Sequence, residues 1–490
     1  MPRQLLQPLP SRGPLRQYAR FRDRQRRVSV CAILRAQPNI LLFFPDQHRG
    51  DWTGYHDTPG VRTPNLDRLA ERGQAFRNAL TASPLCSPAR GCLAAVAPYD
   101  AQSVKHNQHD VDPDDPNLYQ ALRDAGYQVL GCGKFDLLKA SMNWGANGRH
   151  GDGPDANLHR LGFTDGIDNA GKHDFVAGHK KGRSEPFQAF LGKHGLLDTH
   201  LDDYAERTGK NRANYTNTAP TPLPDYAYCD NWIAANGLQL VEAASNDAPW
   251  FLQVNFNGPH EPMDVTASMQ SRWLDADLPP PVASNEYDSE QHHAIRANYA
   301  AMIENIDAHL GSYLEYLADR DVLDDTVVIY ASDHGEMLGD HELWGKVVPY
   351  EPSVHIPLVL AGPGIEARSP RDARVDLVDL AATIIHLAGA GSPSGKGQVL
   401  TDQVLASRKA VGLGGWRAIY VDGLKYVHNF APESGGRSWN GEFDPADDAP
   451  AALYDLEVDP EELKNLAGEQ PETVARLRSA LLDTLETNDG

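Results

Sequence analysis

Cys86-Ser87-Pro88-Ala89-Arg90 follows the turn-like pair Ser83-Pro84 and opens a predicted helix. A helix start presents free N–H groups and the positive end of the backbone dipole. A cysteine there is biased towards its thiolate, or sits beside a ready anion site. A cysteine before a helix is more often a small buried packing residue than a catalyst. Its companions change that balance. Asp46 closes one apolar run, and Asp333-His334 closes another. In open α/β sheets ligands bind outside the carboxyl ends of the strands. Two carboxylates with an imidazole at such a place suit a divalent cation. One strand-end aspartate is ordinarily a cap or a turn; two such strands beside an anion-ready helix start are harder to explain that way.

For these groups to meet, several strands must end on one edge. Residues 39–45 (NILLFFP), 250–255 (WFLQVN), 326–331 (TVVIYA) and 356–360 are apolar runs of strand length, as expected of buried parallel strands. Between them lie helical patterns. Residues 63–73 start on Thr63 as a cap with Pro64 in the first helical position, and exit at Gly73. Residues 117–124 read as a helix, followed by Gly126 and a short strand at 127–130, and 294–317 as a long amphipathic helix. The stretch 144–230 is rich in Gly, His, Asp and Asn with weak periodicity, so long loops with short helices are expected on the active-site side. From about 408 short antiparallel strands (418–421, 425–429, 452–455) and a last helix (471–486) follow. Strands alternating with helices imply an α/β fold with a parallel or mixed sheet and helices on both faces. The expected organisation is a disordered basic extension (1–36), a catalytic domain (37–407) and a small C-terminal α+β subdomain (408–490).

Taken together these motifs resemble the sulfatase family of the alkaline phosphatase superfamily. Cys-x-Pro-x-Arg at 86–90 matches the place where that family oxidises a cysteine to formylglycine. Segments 39–46, 63–69, 126–134, 332–340 and 453–466 (LYDLEVDPEELKNL) match in order, so the resemblance spans 38–466. The resemblance implies an alkaline phosphatase-like, largely parallel mixed sheet sandwiched by helices. It implies that Cys86, as the formylglycine hydrate, supplies a hydroxyl nucleophile and binds a metal, and that Arg90 holds it. Asp46, Asp333 and His334 become metal ligands, and Gln47 fills the slot of a second aspartate as a carbonyl ligand. Lys134, His260 (in Gly258-Pro259-His260-Glu261-Pro262) and Lys346 match residues that bind sulfate oxygens or assist the leaving group. A formylglycine-generating enzyme is the implied maturation partner. Ca²⁺ is the expected metal; His334 leaves Mn²⁺ as the alternative.

The chemistry accords with those roles. Charge grows on the bridging oxygen as a sulfate ester breaks, and fixed cations stabilise it. A geminal diol can expel sulfate by collapsing to the aldehyde, once a base removes the second hydroxyl proton. Where relatives read Gly-Lys-Trp-His, this chain reads Gly133-Lys134-Phe135-Asp136, so Asp136 is the candidate base. The usual Gly-x-x-Pro stretch reads Val96-Ala97-Pro98-Tyr99-Asp100. His106 and Asn107 stand where substrate contacts are often placed, although a solvated loop would look the same.

The expected reaction is hydrolysis of a small-molecule or oligosaccharide sulfate ester. Trp144, Tyr204, Tyr215, Tyr226 and Tyr228 in the polar stretch point to a carbohydrate-sized cleft and a sulfated glycan. The rival is a phosphonate monoester or phosphodiester hydrolase of the same superfamily, with a similar Asp-His pair; Lys134 tilts the balance to sulfate. A degenerate binding protein would keep the fold without formylglycine or metal, and the intact Cys86, Arg90, Asp46, Asp333, Lys134 and Lys346 argue against it. A formal net charge of −22 disfavours a general nucleic-acid partner or an anionic membrane surface. No run of about 18 apolar residues exists to span a bilayer. Residues 1–36 carry nine Arg and one acid, and 28–34 (VSVCAIL) is a poor signal core with no cleavage site after it, so a cytoplasmic location is expected. Cys92, Cys132 and Cys229 read as buried thiols outside any disulfide framework. His48, His109, His150, His159, His179, His292, His293 and His341 read mostly as surface or loop residues.

Overall fold

All four apolar runs become strands of one sheet. The structure, a computed structural model, describes residues 37–489 except 210, 402–404, 406–407, 433–440 and 447. The extension expected for 1–36 lies outside the described residues. The strands are β1 (Asn39–Phe43), β2 (Gln74–Leu80), β3 (Gln128–Gly133), β4 (Asp165–Asp168), β5 (Trp250–Asn255), β6 (Thr326–Ala331), β7 (Leu358–Ala361) and β8 (Arg371–Asp376). Their order is β4-β3-β5-β1-β6-β7-β2-β8. Pairing is parallel throughout except for β7, which runs antiparallel to β6 and β2.

β1 is central and covered on both faces, which explains its unbroken apolar run. Ile40 and Leu42 point into one core with Phe251, Val327 and Ile329. Leu41 and Phe43 point into the other with Leu252, Val254 and Val328. Helices α2 (Cys86–Ala95) and α4 (Leu377–Ala388) close the first face through Leu93, Leu380 and Ile384. Helices α1 (Pro64–Arg72) and α3 (Ser289–Asp319) close the second through Leu66, Leu69, Ile306 and Leu310.

Several elements differ from the sequence reading. β3 runs on to Gly133, so Lys134 leaves the sheet at its edge. β2, β8 and α4 were not expected. The polar stretch contains short helices and also the edge strand β4. Its aromatics do not form a cleft: Trp144, Tyr204, Tyr215 and Tyr228 are buried, and only Tyr226 is exposed. They anchor the stretch to the apolar clusters beneath it, which bury more area than a solvent-facing wall would. Gly73 ends α1 without a positive φ; it is required because a Cβ there would lie 1.9 Å from Leu360 O on β7.

Thr63 does not cap α1 through its side chain. Asp307 of α3 does so across the fold, accepting from Asn65 N at 3.1 Å and Leu66 N at 2.8 Å. The Asn65 side chain also donates to it at 2.7 Å. The buried carboxylate thereby meets the free N–H groups and the positive end of α1.

A second, antiparallel sheet follows: β9 (Lys409–Leu413), β10 (Trp416–Val421), β11 (Leu424–His428) and β12 (Ala451–Asp455), in the order β12-β11-β10-β9. One face packs on Leu477 and Leu481 of the terminal helix α5 (Pro471–Asp489). The other packs Trp416, Ala418 and Tyr420 against Leu85, Cys92 and Met337, behind the start of α2. Among the described residues no helix is long and apolar enough to cross a membrane.

Replacing Asp307 by Ala should cost about 2 kcal/mol, since it strands helix-end donors inside the protein. The measurement is the urea midpoint at unchanged denaturant slope. A loss under about 0.5 kcal/mol, the range of an ordinary surface change, would show that α1 does not depend on this cap.

Candidate active site

β1 and β6 are adjacent and parallel, so their carboxyl ends deliver Asp46 and Asp333-His334 to one place. All three are fully buried. Asp333 Oδ1 accepts from the backbone N–H groups of Gln47 and His334, each at 2.9 Å. α2 begins at Cys86 and aims its first turn at this edge. The Cys86 Sγ lies 3.3 Å from His334 Nε2 and 3.9 Å from Asp46 Oδ1. Donor atoms of Asp46, Cys86, Asp333 and His334 all fall within 4.8 Å of one another.

Two cations compensate the carboxylates. Arg90, one turn along α2, donates from Nε to Asp333 Oδ2 at 3.0 Å. Its Nη1 donates to Lys134 O at 2.6 Å and Asn255 Oδ1 at 3.0 Å. Its Nη2 has no hydrogen-bond partner among the described residues and lies 3.6 Å from Asp46 Oδ2. The Lys134 ammonium meets Asp46 Oδ2 directly. Lys134 reaches it because the chain turns at Gly133, where φ is +100° and a Cβ would lie 1.8 Å from Asn255 O.

The field follows from this packing. Burial would push Asp46 up, but Lys134, His260, Arg90 and His334 hold it well below the usual carboxylate range. Burial and Asp46 would raise the Cys86 thiol, yet Lys134, Lys346 and His334 bring it well below its ordinary value. Burial opposes charge on His334, but Asp333 and Cys86 raise it overall. A field that favours an imidazolium there favours a metal cation equally. His334 Nδ1 is occupied by Gly335 O at 3.0 Å, which leaves Nε2 towards the cluster. The donor set therefore fits a divalent ion.

A third group stands opposite. The Lys346 ammonium donates to Gln47 Oε1 and contacts His260 Nε2 at 2.7 Å. Burial disfavours its charge, but Cys86, Glu261 and Asp46 raise its pKa overall. His260 is shifted down by burial and by Lys346, against Glu261 and Asp46. Gln47 donates from Nε2 to Glu261 Oε2 at 2.8 Å and also to Glu336, so its carbonyl faces the lysine with one lone pair to spare. Three residues around the centre are non-glycines at positive φ: Gln47 (70°), Asp136 (51°) and Val347 (76°). Such backbone strain collects at functional sites.

Asp46, Gln47, Cys86, Arg90, Lys134, His260, Asp333, His334 and Lys346 are thus brought together. Asp136 borders them, with its carboxylate paired to lysines, 3.2 Å from Lys134 Nζ and 3.0 Å from Lys139 Nζ, rather than to Cys86. Asn107 Oδ1 accepts from Ser87 N at 3.1 Å, so it caps the start of α2. His106 packs against His109, with ring centroids 3.8 Å apart and the rings tilted by 37°. Of the histidines expected on the surface, His48, His150 and His292 are buried. His48 holds Tyr330 Oη and Trp52 O, and His150 pairs with Asp168. Sequence reasoning missed Glu261 and Glu336, which hold Gln47, and Asn255, which holds Arg90. Each lies within a motif already singled out or at a strand end, but nothing in their spacing marks a buried carboxylate or amide.

The family model described as Sulfatase matches residues 38–390. An arylsulfatase of Clostridium perfringens is 26% identical over 495 residues, covering 92% of this chain and 95% of that protein. The solved phosphonate monoester hydrolase of Agrobacterium radiobacter superposes with a TM-score of 0.73 at 23% identity, over 93% of this chain and 96% of that one. A solved protein in complex with its substrate D-glucosamine-2-N,6-O-disulfate superposes with a TM-score of 0.66 at 18% identity, over 92% and 99% of the two chains.

Arg90→Met should destabilise the metal-free protein by about 3–5 kcal/mol, because it leaves buried carboxylates short of a cation. It should also move acid unfolding to higher pH. A depressed Asp46 contributes stability that is present above the unfolded carboxylate value and lost as pH falls through the folded one. Removing Arg90 raises that folded value. Coincident acid-unfolding curves by circular dichroism would contradict this coupling.

Proposed function

The chain belongs to the sulfatase family and is a sulfuric ester hydrolase, and from that premise we propose that it cleaves a sulfate monoester with Cys86 matured to formylglycine. The observation that carries this reading is the convergence of Lys134, Lys346 and Arg90 on a cysteine that opens a helix, in front of Asp46, Asp333 and His334. Asp46, Asp333, His334 and the Gln47 carbonyl would hold the cation. Ca²⁺ is the proposed ion, with Mn²⁺ favoured to the extent that His334 Nε2 is a donor. The cation, when bound, supplies Lewis-acid stabilisation of charge on the ester oxygens.

The protein groups then divide the work. Lys134 and Lys346 are fixed, charged donors for the sulfate oxygens, already in place before the reaction. Arg90 orients the Asp333 carboxylate and the first turn of α2. Burial and Lys346 disfavour charge on His260, and the Lys346 ammonium contacts its Nε2, so this pair is the proposed source of the proton for the leaving oxygen. Asp136 is the proposed base for the release of sulfate, poised by Lys134 and Lys139. A formylglycine-generating enzyme is the proposed maturation partner. The relative that binds a disulfated glucosamine supports a sulfated carbohydrate as the substrate class.

A phosphonate monoester or phosphodiester is the second reading. The Asp333-His334 pair and the structural likeness to a phosphonate monoester hydrolase favour it. Parallel kcat/KM values for an aryl sulfate, a phosphodiester and a phosphonate separate the two; a higher value for the phosphodiester would reverse the order of the readings.

Peptide mass spectrometry across residue 86, after co-expression with a formylglycine-generating enzyme, should show sulfur replaced by an aldehyde oxygen. Finding only cysteine would remove the proposed nucleophile. Lys346→Ala and Asp333→Ala should each lower sulfate-ester kcat by about 10²–10³-fold or more, as loss of a fixed charge-stabilising group does. Far-UV circular dichroism should show the fold retained. A wild-type rate in either variant removes that residue from the machinery.

A further inference from the structure

Beside Lys346 lies a second group of metal-ligating side chains outside the Asp46–Asp333–His334 cluster. His173, in the first turn of the helix Lys172–Lys180, and the adjacent pair His260-Glu261 place their donor atoms within 4.8 Å of one another. The Glu261 carboxylate sits between the two rings. Its Oε1 is 3.5 Å from His173 Nε2 and its Oε2 is 3.0 Å from His260 Nδ1. Ligands about 2.0–2.1 Å from a tetrahedral zinc are about 3.3 Å apart, so each imidazole already stands near that separation from one oxygen of the carboxylate. Two imidazoles and one carboxylate, with a fourth position for water, suit a borderline ion; Ca²⁺ wants six to eight oxygens.

We propose that His173, His260 and Glu261 form a second metal site, for Zn²⁺ or a similar transition ion, and that its occupation lowers turnover by tying down His260. The outer partners are already present: Gln47 Nε2 donates to Glu261 Oε2 at 2.8 Å, and Lys346 contacts the other nitrogen of His260. Entry is from the His173 side, whose side chain is 41% exposed. Binding replaces the His260 Nδ1 proton, now shared with Glu261 O at 2.6 Å, and releases it to solvent. The ion then competes with Gln47 for the carboxylate that holds it. The change reaches Lys346 through both Gln47 and His260.

His173 touches none of the groups assigned to the reaction except through this cluster, so it is the residue to change. Equilibrium dialysis with Zn²⁺ in excess Ca²⁺ should leave one more tightly held Zn²⁺ per chain on the wild type than on His173→Ala. Zn²⁺ should inhibit the wild type at concentrations at least tenfold lower than it inhibits His173→Ala, with equal turnover in its absence. Equal zinc content in the two proteins would overturn the site. Equal sensitivity to zinc despite a lost equivalent would overturn its control of turnover. The dialysis arm stands on these three residues alone; the turnover arm rests on the proposed reaction. An inactive wild type that still holds the extra zinc would therefore count against the reaction and not the site.

Discussion

Two carboxylates placed side by side at the ends of β1 and β6, out of contact with water, are the constraint around which this fold is arranged. Asp46 and Asp333 are each fully buried. Burying an ionised carboxylate costs several kcal/mol unless it is paired and hydrogen-bonded. Arg90, Lys134 and the backbone N–H groups of Gln47 and His334 provide the pairing. Each of these needs a separate element in a definite place. α2 must point its first turns at the strand ends, and β3 must finish at Gly133 so that Lys134 crosses the end of β5. The order β3-β5-β1-β6 is the arrangement that lets one lysine, one arginine and two aspartates meet.

Such a network adds little net stability, because desolvation offsets most of the attraction. Its value is in what it prepares. The same lysine and arginine that compensate the aspartates are already desolvated, so no solvent must reorganise when an anionic ester replaces part of their company. Strain is held in the same way. Val347, a β-branched residue at φ 76°, follows Lys346. Its N–H donates to Pro84 O at 3.1 Å, and its carbonyl accepts from Trp416 Nε1 at 3.1 Å. The small antiparallel sheet thereby clamps the loop that carries Lys346, which gives the C-terminal elements a part in the site that their distance in sequence conceals.

What was legible in the sequence follows from how locally each feature is determined. β1, β5 and β6 are buried on both faces and show it as unbroken apolar runs, so they and the strand-end residues Asp46 and Asp333 could be placed. The start of α2 was marked by Cys86 and its Pro-containing turn. β2 and β8 are less apolar and pair with each other near the edge of the sheet, so their sequences, QAFRNAL and RDARVD, carry no strand signal of that strength. The cap on α1 was misplaced because Thr63 is adjacent in sequence and Asp307 is adjacent only in space. In sequence the aromatics of the polar stretch suggest a cleft because aromatic residues serve cores and binding walls alike; burial decides, and burial is a tertiary property. Glu261 and Glu336 were missed for the same reason: a carboxylate that supports a glutamine looks like any surface acid until the chain is folded.

The net charge of −22 belongs to a different length scale from the site. Exposed acids act through water and salt, with a screening length of about 8 Å at physiological ionic strength. They act on the approach of an anion and hence on its encounter rate. Inside the site the relevant separations are a few ångströms in a poor dielectric, where one unit pair at 4 Å is worth about 4 kcal/mol at an effective dielectric of 20. Arg90, Lys134 and Lys346, with the start of α2, outweigh at that range a much larger number of screened surface acids. An acidic exterior and an anion-binding interior are therefore compatible: the exterior sets how often an anion arrives, and the buried cations set whether it is held once there.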